Sequence, residues 1–392
     1  MRAITVLVIA AALEATGFGT ASEASDALYF CDGAGISRAD LDGSNPSLIL
    51  SGTIEDRVAR VDVDVVGAKL YYSVGNTLGS AVVSYDLVGG DFTTFSGAGT
   101  TYHLGVALHP SERKLYWTRG DEFTEEGLIE RTAVDSVSVE EIARQTATRR
   151  LGGLAIDPIA SRIYWTVYEF GGIGTGSIQC ADLDGQNVTA LVTGLDEPHD
   201  VALDLAAQKI YWTDVGPPPY FSGKIRRADL ANGQNAEDVV ISLSIPLGID
   251  VDSEAAKVYW AEQGIGAVRR ANLDGTNLEA LLSGLETPNE VRLVRETPTT
   301  LAVPYAGEIE VRLLHARRTV TFVIRVPHVA QLVLDLYQVT GRRLTRLVDA
   351  QTPAGVYRFS WDGGAPNGVY FYRAGLSSGE SKAGKIVLLG YR

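Results

Sequence analysis

Cysteine is nearly absent: Cys31 and Cys180 are the only two in 392 residues. Two thiols cannot build the disulfide framework that holds small secreted domains together. In the repeat frame described below they fall on opposite sides of a ring, too far apart for a bridge that needs Cα atoms within ~7 Å. Both are expected as small apolar side chains inside strands. Long apolar runs are missing too. The run from Ile4 to Leu13 is shorter than the ~20 residues of a spanning helix. With Arg2 before it and small residues at Gly19/Ala21 or Ser22/Ala24 after it, residues 1–24 read as a secretory signal peptide. The expected location is therefore secreted or cell surface, and no transmembrane segment is expected. Positive charge is in deficit. A formal net charge of −14 argues against nucleic acid or an anionic membrane as partner. Catalytic signatures are lacking as well, with no nucleophile elbow, HExxH, P-loop or Rossmann fingerprint. The five histidines (His103, His109, His199, His315 and His328) show no pair at metal-ligand spacing. The reading is that the chain is not an enzyme and holds no cofactor.

What is present is a repeat. Aromatic pairs close short apolar strands at Tyr29-Phe30, Tyr71-Tyr72, Tyr116-Trp117, Tyr164-Trp165, Tyr211-Trp212 and Tyr259-Trp260, at intervals of 42, 45, 48, 47 and 48 residues. A period of this size marks a repeat architecture. The clearest copy holds an alternating strand over 200–204, a turn over 205–208, an aromatic strand over 209–214, a variable loop over 215–223 and a third strand from 224. An Asp-Gly turn with a following Asn precedes the fourth strand: Asp42-Gly43/Asn45, Asp184-Gly185/Asn187 and Asp274-Gly275/Asn277. Each repeat is a four-stranded antiparallel meander, and no amphipathic helix lies between repeats. Six anchors then predict a six-bladed β-propeller. The first repeat lacks its first strand, and residues 288–293 supply it from the far end, closing the ring and covering two edges.

Tyr211 to Asp214, preceded by Leu203-Asp204 and followed by Arg227 to Leu230, resembles the class B (YWTD) repeat of low-density-lipoprotein-receptor-type propellers. The resemblance spans about 26–293. It departs from the pattern at the fourth motif position, which is Asp only at Asp32 and Asp214. The Asp that ends the first strand is kept at Asp64, Asp157, Asp204 and Asp252, replaced by His109 and Val294 elsewhere, and reads as a turn cap. The cysteine-rich modules that flank the propeller in the animal receptors are missing, so the resemblance implies the fold and not the receptor biology. An exported propeller without disulfides points to a bacterial more than an animal source.

After Leu293 the period stops. Residues 294–306 read as a linker, and 307–392 as a second all-β unit of seven short alternating strands, by default an Ig-like β-sandwich. Leu334 to Arg343, Pro353-Ala-Gly355, Trp361-Asp362-Gly363, Asn367 to Tyr372 and Lys385 to Leu389 resemble the FlgD-like Ig domain, which overlaps with type IX secretion sorting domains. The resemblance implies secretion machinery as a partner of this unit; the competing reading is a plain spacer.

Function is sought where the repeats differ. The fourth-to-first and second-to-third connections open on one face of a propeller. The first set brings Arg60, His199, Asp200, Asn289 and Glu290 to the central mouth, against Gly105, Gly153 and Gly248 in the other blades. The second set carries Glu122-Phe123, Tyr168, Phe170, Tyr220 and Phe221. Aromatics beside carboxylates on a rigid scaffold suit an extracellular protein, peptide or glycan ligand. Two alternatives stay open. Arg60 could simply pair with Asp200 or Glu290, leaving a purely structural surface protein. Asp200, Asn289 and Glu290 also match in type the metal ligands of gluconolactonase-like propeller hydrolases, with His199 as base and calcium as the candidate ion.

Overall fold

The computed structural model describes residues 26–294 and 310–388, apart from 52–56, 66, 77–78, 88–89, 98–100, 122–125, 146–149, 170, 317–318, 327–329, 353–354 and 362–367. The chain divides into two compact units, Met1–Arg295 and Glu296–Arg392. Strand is the dominant element of the described residues, and none of their helices is long and apolar enough to cross a membrane.

The first unit contains six four-stranded antiparallel sheets in ring order, the arrangement of a six-bladed β-propeller. Blades two to six run Arg57–Asp64 to Phe92–Gly97, Thr101–His109 to Glu140–Gln145, Arg150–Asp157 to Thr189–Leu195, Pro198–Asp204 to Glu237–Leu243, and Pro246–Asp252 to Glu279–Ser283. Blade one is composite. Its strands Ala27–Asp32, Gly35–Asp40 and Ser47–Ser51 are joined by Glu290–Val294, with Ala27 opposite Val294 and Cys31 opposite Glu290.

The aromatic pairs explain how the blades stack. Successive residues of a strand point to opposite faces, so one aromatic of each pair faces the preceding blade and the other the following blade. Each of the six interblade cores contains the first aromatic of one blade and the second of the next. The six pairs are Tyr29 with Tyr72, Tyr71 with Trp117, Tyr116 with Trp165, Tyr164 with Trp212, Tyr211 with Trp260, and Tyr259 with Phe30.

Polar residues of the repeat serve the turns. Asp64, Asp157, Asp204 and Asp252 each accept a backbone N–H two or three residues on, at 2.7–3.0 Å. His109 does the same in blade three, where Nδ1 accepts the Glu112 N–H at 3.1 Å. In the Asp-Gly turns Gly43 and Asn45 both take positive φ, 82° and 53°, which is why glycine and asparagine recur there.

The second unit holds a three-stranded sheet ordered Glu310–Ala316, Thr319–Val326, Gly355–Trp361. Its four-stranded sheet is ordered Arg343–Thr352, Ala330–Gln338, Gly368–Leu376, Ser381–Leu388. Both contribute to one core. Val320, Phe322, Ile324 and Trp361 join Leu332, Leu334, Leu336, Tyr370 and Tyr372, with edge-to-face contacts Phe322–Tyr372 and Trp361–Tyr370.

Candidate functional site

The first strands of the blades line the bore, and alternate residues face it. Near the mouth the equivalent positions of the six hub strands are Glu290, Arg60, Gly105, Gly153, Asp200 and Gly248 in ring order, all but Gly248 lining the cavity at the axis. Two residues further along each strand come Arg292, Asp62, Ala107, Ala155, Ala202 and Asp250. Each tier has one arginine, two carboxylates and three small residues. In the first, Arg60 Nε lies 2.9 Å from Glu290 Oε2 and 3.9 Å from Asp200 Oδ2. In the second, Arg292 Nε lies 3.0 Å from Asp62 Oδ1, and its Nη1 lies 3.7 Å from Asp250 Oδ2.

The three first-tier glycines let the hub strand of the next blade approach closely. A Cβ on Gly153 would sit 1.7 Å from Asp200 Oδ1, and one on Gly248 2.6 Å from the Glu290 Cα. The carboxylates also fasten neighbouring blades. Asp200 Oδ2 accepts the Ile249 N–H at 3.1 Å, Asp250 Oδ2 that of Leu293 at 2.8 Å, and Asp62 Oδ2 that of Leu108 at 2.7 Å. The remaining cavity is about 10 Å³, lined by Arg60, Asp200 and Glu290. That is room for about one water, not for a sugar or a peptide.

Burial dominates the titration of this plug. It raises the carboxyls of Asp200 and Asp250 above their ordinary range, and raises Glu290 well above it, with the Asp200 charge adding to the rise at Glu290. Arg60 works against this at both Asp200 and Glu290. Asp200 and Glu290 thus converge on a guanidinium, which neutralises the charge that a divalent cation would otherwise need. Among the described residues no cluster of three or more His, Cys, Asp or Glu side chains could hold a metal ion. Asn289 is likewise engaged in the frame. Its carbonyl accepts from Arg60 and from the Gly248 N–H, and its Oδ1 accepts from Gln263 at 2.8 Å.

Beside the plug lies a largely buried polar cluster. The His199 ring stacks on Tyr168 at a centroid distance of 4.7 Å, and its Nε2 is 3.6 Å from Glu197 Oε1. Burial lowers the His199 imidazole below its ordinary value, with Arg60 pushing the same way and Glu197 opposing. Glu197 in turn accepts the Gly171 N–H, and its own N–H donates to Asp214 Oδ1. Here the structure corrects an expectation. Tyr168 ends the strand Arg162–Tyr168 with its side chain turned inward and is 2% exposed, so it supports the mouth from within rather than offering a surface aromatic.

The exposed groups sit on the second-to-third connections. Phe221 is 70% exposed in blade five, with half-buried Tyr220 beside it at φ 66°. Ile173 and Ile265 occupy the corresponding connections of blades four and six and are 68% and 53% exposed. Three successive blades thus place an apolar side chain on the face where the bore opens. Phe123 and Phe170 lie outside the described residues. Sequence reasoning found Phe221 because it is aromatic, but missed Ile173 and Ile265, which belong to no repeated pattern. It also missed Asp62, Asp250 and Arg292, although the two-residue alternation from Arg60 and Glu290 pointed to their strand faces.

Fold and hub together define a β-propeller whose bore is filled by side chains rather than a scaffold with a deep cleft. No protein-family model matches the chain. It is 28% identical over 201 residues to a low-density lipoprotein receptor-related protein 1 of Pyricularia oryzae, covering 45% of this chain and 63% of that protein. It is 25% identical over 174 residues to the protein cueball of Drosophila willistoni, covering 41% and 25%. The chain therefore spans less than two thirds of the length of these curated relatives. Among solved structures it resembles a chain of a nidogen/laminin complex, with TM-score 0.58 and 17% identity, over 69% of this chain and 98% of that one. It also resembles TolB from Acinetobacter baumannii, with TM-score 0.55 and 15% identity, over 69% and 67%. At these identities the structural likeness establishes the fold alone.

Proposed function

We propose that the chain is an exported bacterial binding protein that holds an extracellular protein, peptide or glycan on the mouth face of its propeller, and that it is not an enzyme. The observation that carries this is the pairing of a filled bore with apolar side chains displayed at Ile173, Tyr220-Phe221 and Ile265. A face of this kind binds by contact area around aromatic anchors rather than by engulfing a substrate. Support also comes from the likeness to a propeller seen in a nidogen/laminin complex. The second unit, in this reading an Ig-like domain of the FlgD and type IX sorting kind, serves secretion or surface attachment.

A glycan and peptide array probed with the whole chain, in parallel with Tyr220→Ala/Phe221→Ala, tests the binding face. Signals from bound features should fall at least about tenfold, the scale of losing a central anchor worth ~1.4 kcal/mol or more. Undiminished binding by the double variant would sink the proposal.

A further inference from the structure

Five of the six blades form their innermost strand from the residues just before the aromatic strand, as one side of a local hairpin. Blade one alone takes its hub strand, Glu290–Val294, from the other end of the ring. The alternating apolar pattern of that segment is shared by the other hub strands, such as Val201 to Asp204 and Val61 to Asp64. Backbone pairing and apolar alternation therefore do not by themselves identify the correct strand, and the loop to be closed is the longest in the unit.

Charge does identify it. The closing strand places Glu290 and Arg292 on the bore, two residues apart. Its blade-two neighbour places Arg60 and Asp62 there, in the reverse order of sign. Glu290 meets Arg60 at 2.9 Å and Arg292 meets Asp62 at 3.0 Å. Arg60 also donates to the Asn289 carbonyl at 2.8 Å, and Asn289 Nδ2 donates to the Val58 carbonyl at 3.3 Å. On its other side the closing strand meets Asp250, whose carboxylate contacts Arg292 and accepts the Leu293 N–H. At the other contacts between adjacent hub strands, Arg292 with Asp250 apart, a charge meets a glycine or alanine, or two small residues meet each other. The interface between the closing strand and blade two is the one that joins opposite charges in both tiers.

We propose that this reciprocal pair of ion pairs is the recognition code for ring closure: it selects Glu290–Val294, in this register, as the hub strand of blade one. A buried ion pair is weak as a source of net stability, and its best-attested role is to specify register and partner. Mispairing would leave a guanidinium or a carboxylate buried without a counter-ion, which is strongly penalised. The glycines at 105, 153 and 248 cannot substitute, since they offer no charge.

The test uses the whole chain with Asp200→Asn as the parent, so that a carboxylate at position 60 faces no second one, and a charge exchange in the first tier: Arg60→Glu, Glu290→Arg and the double variant. Amide hydrogen exchange is read on Ala27–Asp32, which pairs with the closing strand, and on Lys209–Asp214 in blade five as internal reference. Each single variant should speed exchange on Ala27–Asp32 by about 100-fold or more while the reference strand changes little. The double variant should return to within about tenfold of the parent. If a single variant yields no folded protein, recovery of folded protein by the double variant supports the code, and failure to recover overturns it. The milder Asp62→Asn gives a second reading. Faster exchange confined to the closing strand and its partner supports the proposal, whereas unchanged exchange, or an equal rise in all blades, overturns it.

Discussion

Threonine, the third letter of the blade motif, acts here as a rivet between blades. Thr213 Oγ1 accepts the Asp200 N–H at 3.1 Å in its own blade and donates to the Leu247 carbonyl of the next at 2.6 Å. Thr118 does the same between Gly105 and Gly152. Replacing Thr213 by Val keeps the shape but leaves a buried donor and acceptor unpaired, so urea unfolding should show a loss of about 1–3 kcal/mol. Thr213→Ser should lose less than half of that, and equal losses would refute the rivet. His109 offers a second test at this scale. Its Nδ1 accepts the Glu112 N–H, so the ring proton is assigned to Nε2 and the imidazole is neutral. Burial lowers its pKa below the ordinary value of about 6.5, with Lys114 adding to the effect. The folded state then takes up its proton at lower pH than the unfolded chain does. The His109 contribution is present above about pH 6.5 and is lost as pH falls below it. His109→Asp installs the cap of the sister turns, and on going from pH 7 to pH 5 its melting temperature should gain relative to the parent's. Superimposable pH profiles would rule the imidazole out.

At the scale of the element, the aromatic strand is the unit that turns a list of meanders into a ring. Alternation sends one aromatic to each neighbouring blade, so the six interblade cores are built from one repeated pair of side chains. That regularity made blade number and strand order readable, including the blade completed from both ends. The loops were less legible. Tyr168 and Phe221 both looked like surface aromatics, but one ends a strand and stacks on His199 while the other lies open in a long connection. Periodicity distinguishes the faces of a strand; it says nothing about which way a side chain turns where the period stops. The chemistry at Arg60, Asp200 and Glu290 was visible as residue type. Its use was not, because one guanidinium joining two carboxylates across the bore is a relation among three blades.

At the scale of the molecule, the hub concentrates two arginines and four carboxylates around the propeller axis. Burial raises Asp200, Asp250 and Glu290, so folding favours their protonated forms. The associated stability is fully present below the ordinary carboxylate range, near pH 4, and is lost as pH rises through the elevated values. The negative surface of a chain at −14 works in the same direction by self-repulsion. Urea unfolding of the whole chain should thus give a lower midpoint for the propeller transition at pH 8 than at pH 5. Glu290→Gln removes one titrating group while leaving the surface charge alone, and should narrow that difference. An unchanged difference would place the pH dependence outside the hub.

The sequence by itself determined the all-β class, the six blades, the composite first blade and the turn chemistry. These rest on local rules repeated many times, namely alternation, aromatic spacing and Asp-Gly turns, and repetition lets each copy check the others. Tertiary structure alone decided that the bore is filled, that Arg60 and Arg292 close it, and that Ile173, Phe221 and Ile265 stand exposed on the connections of three successive blades. Those outcomes depend on side chains from distant blades meeting at distances of about 3 Å, and a one-dimensional period contains no such distances.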